Sequence, residues 1–329
     1  MQFQQLPENT SVIQQQPSQT SNSNVSKNSH FSNLKILKKL NDSRFPVFLV
    51  FSPHYNKNCV LKMYPYKEEK ISNAYLNESR FLGLSHPNIV SMIDATDRQK
   101  SANGSKKFTA SYILMEYASL GDFADLLIHG KLNKDETLVR TFFHQLVNGL
   151  EYLHSKGIAH MDIKLENLLL GEDLNLKIAD FDLAFVDGDR KMNGKGTCNY
   201  RAPEVKHQNC TNQKAADIFS AGVVLFALVC GGFPYLEDAR VEGYNLYELL
   251  MREDETFWNA HMKIQKKSGF SEDFKSLFSS MMKVNPNKRA TIEDIRNSRW
   301  YQGPIYSHEE LRAKLTEMGI ISNTDVMMD

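Results

Sequence analysis

Three stretches of this chain place reactive residue types at spacings that chemistry can use. The first is His160-Met161-Asp162-Ile163-Lys164-Leu165-Glu166-Asn167. An Asp, a Lys two residues on and an Asn five residues on share one polar stretch ahead of the apolar run Leu168–Leu170. A carboxylate can orient a hydroxyl, a cation can sit beside a transferring phosphate, and an amide oxygen can ligate Mg²⁺; together these are the needs of phosphoryl transfer. Taken alone, the stretch reads equally well as a surface loop. The second is Lys177-Ile178-Ala179-Asp180-Phe181-Asp182, where Asp180 ends a short apolar strand and could hold a metal against phosphates. The third is Gly196-Thr197-Cys198-Asn199-Tyr200-Arg201-Ala202-Pro203-Glu204. Upstream, Cys59-Val60-Leu61-Lys62 ends a strand on a lysine.

The elements that must carry these groups change character along the chain. Leu34–Leu40, Val47–Ser52 and Cys59–Tyr64 read as strands with polar turns between them. Lys70–Leu84 reads as a helix. Ile89–Ala95 and Phe108–Tyr117 read as two more strands, parted by a polar loop over Asp97–Lys107. From Asp122 the pattern is helical, with helices expected at Asp122–His129, Glu136–His154, Ala216–Cys230, Tyr244–Arg252, Ser271–Lys283 and Thr291–Asn297. Five strands and one main helix followed by a helical remainder predict a two-lobed α+β fold.

With 329 residues the chain is long enough for one large two-lobed unit with a core that needs no covalent staples. Lysine plus arginine and aspartate plus glutamate are equal at 39 each, which argues against a nucleic-acid partner. Cys59, Cys198, Cys210 and Cys230 are scattered and form no CxxC pair, which suits a reduced intracellular compartment, cytoplasmic or nuclear. The start shows no basic-then-apolar secretory pattern, and Gln2 rules out a myristoyl site. The longest apolar run, Ala221–Phe233, is too short for a membrane span and reads as a buried core helix; no membrane partner is expected. Residues 1–33 are read as a disordered tail. Gln, Asn and Ser supply 17 of the first 30 residues, too few apolar groups to offset chain entropy.

In order and spacing these motifs resemble the eukaryotic protein kinase domain, Ser/Thr group, over residues 34–302. The small lobe is placed at 34–116 and the large lobe at 117–302, with a tail over 303–329. The shared features are the strand lysine, HxDxKxxN, Asp180-Phe181, GTxxYxAPE, Asp217 with Ser220 and Gly222, and Arg289 ahead of Trp300. The resemblance implies a transferase that uses ATP and Mg²⁺ to phosphorylate a serine or threonine on a protein substrate. It implies Lys62 as the holder of the α- and β-phosphates and a helix glutamate as its partner. An ungapped count back from His86-Pro87-Asn88 would choose Asn77. The apolar stripe of Ile71, Ala74, Tyr75, Phe81 and Leu82 chooses Glu78 instead, because Asn77 lies about 100° off it. Asp162 resembles the catalytic base, Lys164 the γ-phosphate cation, and Asn167 and Asp180 the metal ligands. Met115, Glu116 and Ala118 resemble the adenine-binding hinge, with Val47, Val60 and Leu169 around the ring. Leu82, Met92, His160 and Phe181 match the family's hydrophobic column. Thr197 matches a residue that contacts the catalytic Asp and Lys. Glu204 and Arg289 match a structural ion pair, and Asp122 and Glu166 match acidic positions that read arginine before the acceptor.

The chain also departs from the family. Between its first strands it reads Asn41-Asp42-Ser43-Arg44-Phe45-Pro46, with no glycine to let backbone N–H groups close over phosphates. Asp182 stands where the family has glycine after Asp-Phe, which either restricts a flip of that hinge or adds a carboxylate near the metal. Met161 replaces the arginine that would pair with an activation-segment phosphate, and Leu183–Lys195 contains no Ser, Thr or Tyr. Two readings from different classes follow: an active Ser/Thr kinase, or a pseudokinase scaffold that works through protein contacts. A small-molecule kinase fits less well, because Gly196–Glu204 resembles a peptide-substrate platform. Beyond Tyr301, Ser307–Met318 is expected to be helical, with Leu311, Leu315 and Met318 on one face.

Overall fold

The computed structural model describes residues 33–322, apart from 42–43, 104–105, 131, 133–134, 191–195, 237–239, 241–242 and 267. The N-terminal tail, Asp42, Ser43 and the stretch Lys191–Lys195 therefore lie outside the described residues. The chain divides into two compact units. One holds the residues up to Ser85 together with Ser91–Tyr117. The other holds His86–Val90 and everything from Ala118 onward. The division falls after Tyr117, and 86–90 counts with the second unit. Hydrogen bonds tie that short segment there: Asn88 Nδ2 donates to the Leu176 carbonyl, Val90 N to the Ile178 carbonyl and Ile178 N to the Asn88 carbonyl, each at 2.9 Å.

The first unit is an antiparallel sheet of β1 (Lys35–Asn41), β2 (Val47–Ser52), β3 (Lys57–Pro65), β4 (Met92–Asn103) and β5 (Lys106–Glu116), in the order β1-β2-β3-β5-β4. Period-2 alternation along β3 sorts its side chains. Cys59 and Leu61 point into a core with Leu34, Val50, Ala110, Tyr112 and Leu114. Val60, Lys62 and Tyr64 therefore share the opposite face. The loop expected over Asp97–Lys107 is instead the paired end of a long β4–β5 hairpin, with Lys100 opposite Thr109 and Asn103 opposite Lys106. Both strands are polar there, so no alternation marked them.

The helix expected over Lys70–Leu84 is shorter. Helix α1 covers Asn73–Glu78 and tightens into a 3₁₀ turn at Ser79–Phe81. Glu68 and Glu69 take left-handed backbone, and Lys67 and Lys70 pair with each other, so the chain before Asn73 is a turn. A 3₁₀ turn advances about 120° per residue rather than 100°. Phe81 accordingly comes onto the Glu78 side and is buried, 3 % exposed, while Leu82 is 45 % exposed. Leu82 was the residue expected in the hydrophobic column; Phe81 is the buried one.

The second unit is built on α3 (Glu136–Ser155) and α5 (Gln213–Cys230), with α2 (Phe123–Ile128) and short paired strands β6 (Ile158–Ala159) with β9 (Phe185–Val186) and β7 (Leu168–Leu170) with β8 (Leu176–Ile178). Helix α5 is apolar and long enough to match a membrane span by composition, yet nearly every residue of it is buried within this unit. It starts three residues earlier than expected, where the Asn212 side chain accepts from Ala215 N. Helices α4 (Pro203–Lys206), α6 (Leu246–Met251), α7 (Thr256–Gln265), α8 (Glu272–Met281) and α9 (Ile292–Asn297) complete it. Neither α4 nor α7 was expected. The last helix, α10 (His308–Glu317), opens with a capping box between Ser307 and Glu310 and buries Leu311 and Leu315.

Candidate active site

In the first unit, Lys62 Nζ lies 2.7 Å from Glu78 Oε2, and both groups are buried, at 7 % and 0 % exposure. The hydroxyl of Tyr64, two residues along the same face of β3, donates to that same Glu78 oxygen. Neighbouring Asn77 is turned elsewhere and accepts from Arg80 Nη1 at 2.9 Å. Val47 sits opposite Lys62 in the β2–β3 register, and Val60 opposite Met115 in the β3–β5 register. Met115 is buried. At the end of β5, Glu116 N donates to the Ser91 carbonyl and its carboxylate accepts from Ser91 N at 2.7 Å. At the β1–β2 turn, Asn41 Oδ1 accepts from Val47 N at 3.2 Å and the Pro46 carbonyl accepts from Met63 N.

In the second unit the polar loop is fixed from beneath. Asp217, buried on α5, accepts from His160 N and Met161 N at 2.8 Å each and sits 2.9 Å from His154 Nε2. Met161 is held at φ 66°, and it is 6 % exposed. His160 accepts from Asp162 N on Nδ1, so Nε2 is the end that donates to the Ala179 carbonyl; its ring meets Phe181 edge-on.

Asp162 is the centre of the loop's polar contacts. Its Oδ1 accepts from Thr197 N at 2.8 Å and Thr197 Oγ1 at 2.9 Å. Its Oδ2 lies 2.8 Å from Lys164 Nζ and accepts from Asn167 Nδ2 at 3.2 Å. Lys164 also donates to Thr197 Oγ1. Burial alone would lower the Lys164 ammonium's pKa, but the Asp162 carboxylate, with Asp180 and Glu166 behind it, holds it above the usual lysine value. Gly196, at φ 71°, lets the activation segment come this close. A Cβ there would stand 2.5 Å from the Met161 carbonyl oxygen. Tyr200 OH accepts from Leu165 N and reaches Glu166 Oε2; burial, then the Glu166 charge, push its phenol well above the ordinary value.

Asn167 and Asp180 are linked through the backbone, Ala179 N donating to the Asn167 carbonyl at 2.9 Å. Asn167 commits its amide nitrogen to the carbonyl and carboxylate of Asp162, so its side-chain oxygen is the end left for a hard cation. Mg²⁺ takes oxygen donors, usually one or two from the protein with phosphate and water completing the shell. An amide oxygen and the Asp180 carboxylate fit that demand. Asp180 itself is in left-handed backbone at φ 69°. Asp182 is not among the described residues with positive φ, so this position asks for no glycine in the conformation adopted. Ala118 is buried, and Leu169 sits half-buried in β7, bridged to Asp122.

Each unit therefore gathers its own part of the predicted set: Lys62 with Glu78 in the first, and Asp162, Lys164, Asn167 and Asp180 in the second. Tyr64 and Gly196 were not singled out as site residues from the sequence. An aromatic residue in a strand is unremarkable there, and only a side chain's third-dimension neighbour gives Tyr64 its meaning.

The model of the protein kinase domain matches residues 45–301. Among curated relatives, CBL-interacting protein kinase 11 of Oryza sativa subsp. japonica is 33 % identical over 240 residues, covering 71 % of this chain and 42 % of that protein. The probable serine/threonine-protein kinase MARK-A of Dictyostelium discoideum is 36 % identical over 220 residues, covering 66 % of this chain and 19 % of that protein. CBL-interacting protein kinase 26 of the same rice is 33 % identical over 224 residues, covering 67 % and 41 %. The chain thus spans less than half the length of each of these relatives. The match over residues 45–301 and the buried Lys62–Glu78 and Asp162–Lys164–Thr197 groupings point one way: this chain belongs to the protein kinase domain family.

Proposed function

We propose that the chain is an active Ser/Thr protein kinase that uses ATP and Mg²⁺ to phosphorylate hydroxyls of protein substrates inside the cell. The observation that carries this reading is the state of Asp162. Its carboxylate is oriented on one oxygen by Thr197 and on the other by Asn167 and Lys164. A carboxylate so held can take the acceptor's proton and align its oxygen, while Lys164 sits where charge on a transferring phosphate would need a partner. Bound Mg²⁺ would neutralise phosphate charge, with Asn167 and Asp180 supplying the protein oxygens. Lys62, steadied by Glu78, would position the α- and β-phosphates. Preorganised charge of this kind supplies most of the acceleration in phosphoryl transfer.

One observation favours the pseudokinase reading. The turn between β1 and β2 spends the Val47 N–H on the Asn41 side chain, and Pro46 has no N–H to give. Fewer backbone donors are then free for phosphates, so ATP should bind more weakly than in a glycine-rich loop. Phosphate transfer from radiolabelled ATP to generic protein substrates decides between the two. The chain should label them and Asp162→Asn should not; equal labelling by both proteins would sink the proposal. Calorimetric titration of Mg-ATP into the parent and an Asn41→Gly/Ser43→Gly/Pro46→Gly variant measures the loop's share.

A further inference from the structure

The glutamate of the Lys62–Glu78 pair sits on a very short helix. Helix α1 has six residues and no side-chain cap at Ser72, and it passes directly into a 3₁₀ turn. So short a helix is not stable by itself and takes its position from tertiary contacts. In protein kinases the closed lysine–glutamate pair is commonly governed through a phosphate on the activation segment. Here Leu183–Lys195 contains no hydroxyl residue, and Met161, buried, stands where a phosphate-binding arginine would be. Something else must keep Glu78 in place.

Tyr64 is built for that task. It is fully buried, and its hydroxyl gives Glu78 Oε2 a second donor beside the Lys62 ammonium. Its ring lies 5.5 Å from Lys62 Nζ, within reach of a cation–π contact. The same ring meets Tyr75 of α1 edge-on at 5.5 Å and Phe45 of the β1–β2 turn at 5.0 Å. One side chain therefore touches the lysine, its carboxylate partner, the helix that carries the carboxylate and the turn ahead of β2. A leucine or valine at this position could fill space but could not donate to Glu78.

We propose that Tyr64 is a positioning residue whose hydroxyl keeps the Lys62–Glu78 pair closed with no phosphate on the activation segment. Its role in turnover rests on the kinase reading above; its role as a clamp on Glu78 does not. Two measurements on the full chain separate these. Amide hydrogen exchange over Asn73–Phe81 should be several-fold faster in Tyr64→Phe than in the parent, with exchange in α3 and α5 unchanged. In steady-state transfer, Tyr64→Phe should lower kcat by roughly 10- to 150-fold, the span expected for one lost charge-assisted hydrogen bond, and leave KM for the peptide substrate unchanged. Tyr64→Phe/Glu78→Gln should be no worse than Glu78→Gln alone, because the hydroxyl acts through that carboxylate. Replacing Tyr64 with 4-aminophenylalanine, which keeps a donor, should restore most of the loss. Unchanged exchange over Asn73–Phe81 overturns the proposal, as do multiplicative losses in the double variant. If the parent transfers no phosphate, the kinase reading fails, and exchange over Asn73–Phe81 alone decides the clamp.

Discussion

Thr197 places both of its donors on one oxygen of Asp162, the backbone N–H at 2.8 Å and the hydroxyl at 2.9 Å from Oδ1. The same hydroxyl accepts from Lys164 at 3.1 Å. A single side chain thus couples the candidate base, the candidate phosphate cation and the segment that would meet the substrate. Thr197→Ala should lower kcat by roughly 10- to 150-fold, the effect of removing a hydrogen bond to a charged group, with the affinity for Mg-ATP little changed. Thr197→Ser, which keeps the hydroxyl, should recover most of it. A threonine variant with full kcat would show that Asp162 needs no such partner. Phosphoamino-acid analysis of labelled substrate should give phosphoserine and phosphothreonine, since Lys164 two residues after Asp162 is the Ser/Thr arrangement.

Met161 stands where the family resemblance implies a phosphate-binding arginine. It is buried in left-handed backbone, with its own N–H and that of His160 tied to Asp217. Phosphatase treatment should therefore not abolish activity through the activation segment, and mass spectrometry should find no phosphate over 183–195; silencing by phosphatase would place control elsewhere on the chain. Met161→Arg should be destabilised by several kcal/mol, because it buries a cation where the native residue is apolar. Met161→Leu should unfold within about 1.5 kcal/mol of the parent. Urea denaturation of the two variants measures the difference; an arginine variant as stable as the leucine one would show that the position accommodates a cation without cost.

How much of this was legible beforehand follows from how local each signal is. The loop His160–Asn167 is contiguous, so its charged groups could be read in order. Glu78 was separable from Asn77 because helical periodicity is a local rule, and it survived even though the helix proved to be six residues long. The same rule misplaced Leu82, because a change from α to 3₁₀ winding after Glu78 leaves no mark in residue types. The β4–β5 hairpin was hidden because polar residues on both faces give no alternation. Tyr64 was hidden for a different reason. Its value lies in a hydrogen bond across 14 positions, and nothing short of the fold brings those two groups together.

The buried pair Glu204–Arg289 tests the frame without touching the chemistry. Arg289 Nη1 and Nη2 meet the two oxygens of Glu204 at 2.6 and 2.9 Å, and the guanidinium also donates to the Ala215 and Lys283 carbonyls. Arg289→Ala leaves Glu204 buried without its partner, and breaking a buried pair from one side typically costs about 3–5 kcal/mol. Arg289→Lys should recover little, since an ammonium cannot reproduce the planar fork. Chemical denaturation followed by tryptophan fluorescence reads this directly through Trp258 and Trp300. Equal stability of the alanine variant would mean the pair breaks even with its own desolvation.

The last expectation concerns substrate choice and its dependence on pH. Asp122 caps α2, its Oδ1 accepting from Asp125 N at 2.9 Å. Burial holds its carboxyl above the usual aspartate range, and the charges of Asp125 and then Glu166 add to that. A carboxylate crowded by like charge is relieved by a cation, so a guanidinium on the peptide should bind best when Asp122 is ionised. A half-exposed charge pair contributes on the order of 1 kcal/mol, or about fivefold in KM between a peptide with arginine two or three residues before the acceptor and its alanine analogue. The sign with pH follows from the direction of the Asp122 shift. A carboxyl with a raised pKa takes up its proton at a higher pH than an ordinary aspartate, so acidification removes its charge first and the fivefold advantage shrinks toward one as pH falls. Its charged form also opposes folding, so Asp122→Asn, which keeps the helix cap, should lose the arginine preference without losing stability at neutral pH. Initial rates on the two peptides across the acidic range, for parent and Asp122→Asn, check each part. A preference that persists undiminished at low pH, or one that survives the asparagine, would place arginine recognition elsewhere on the molecule.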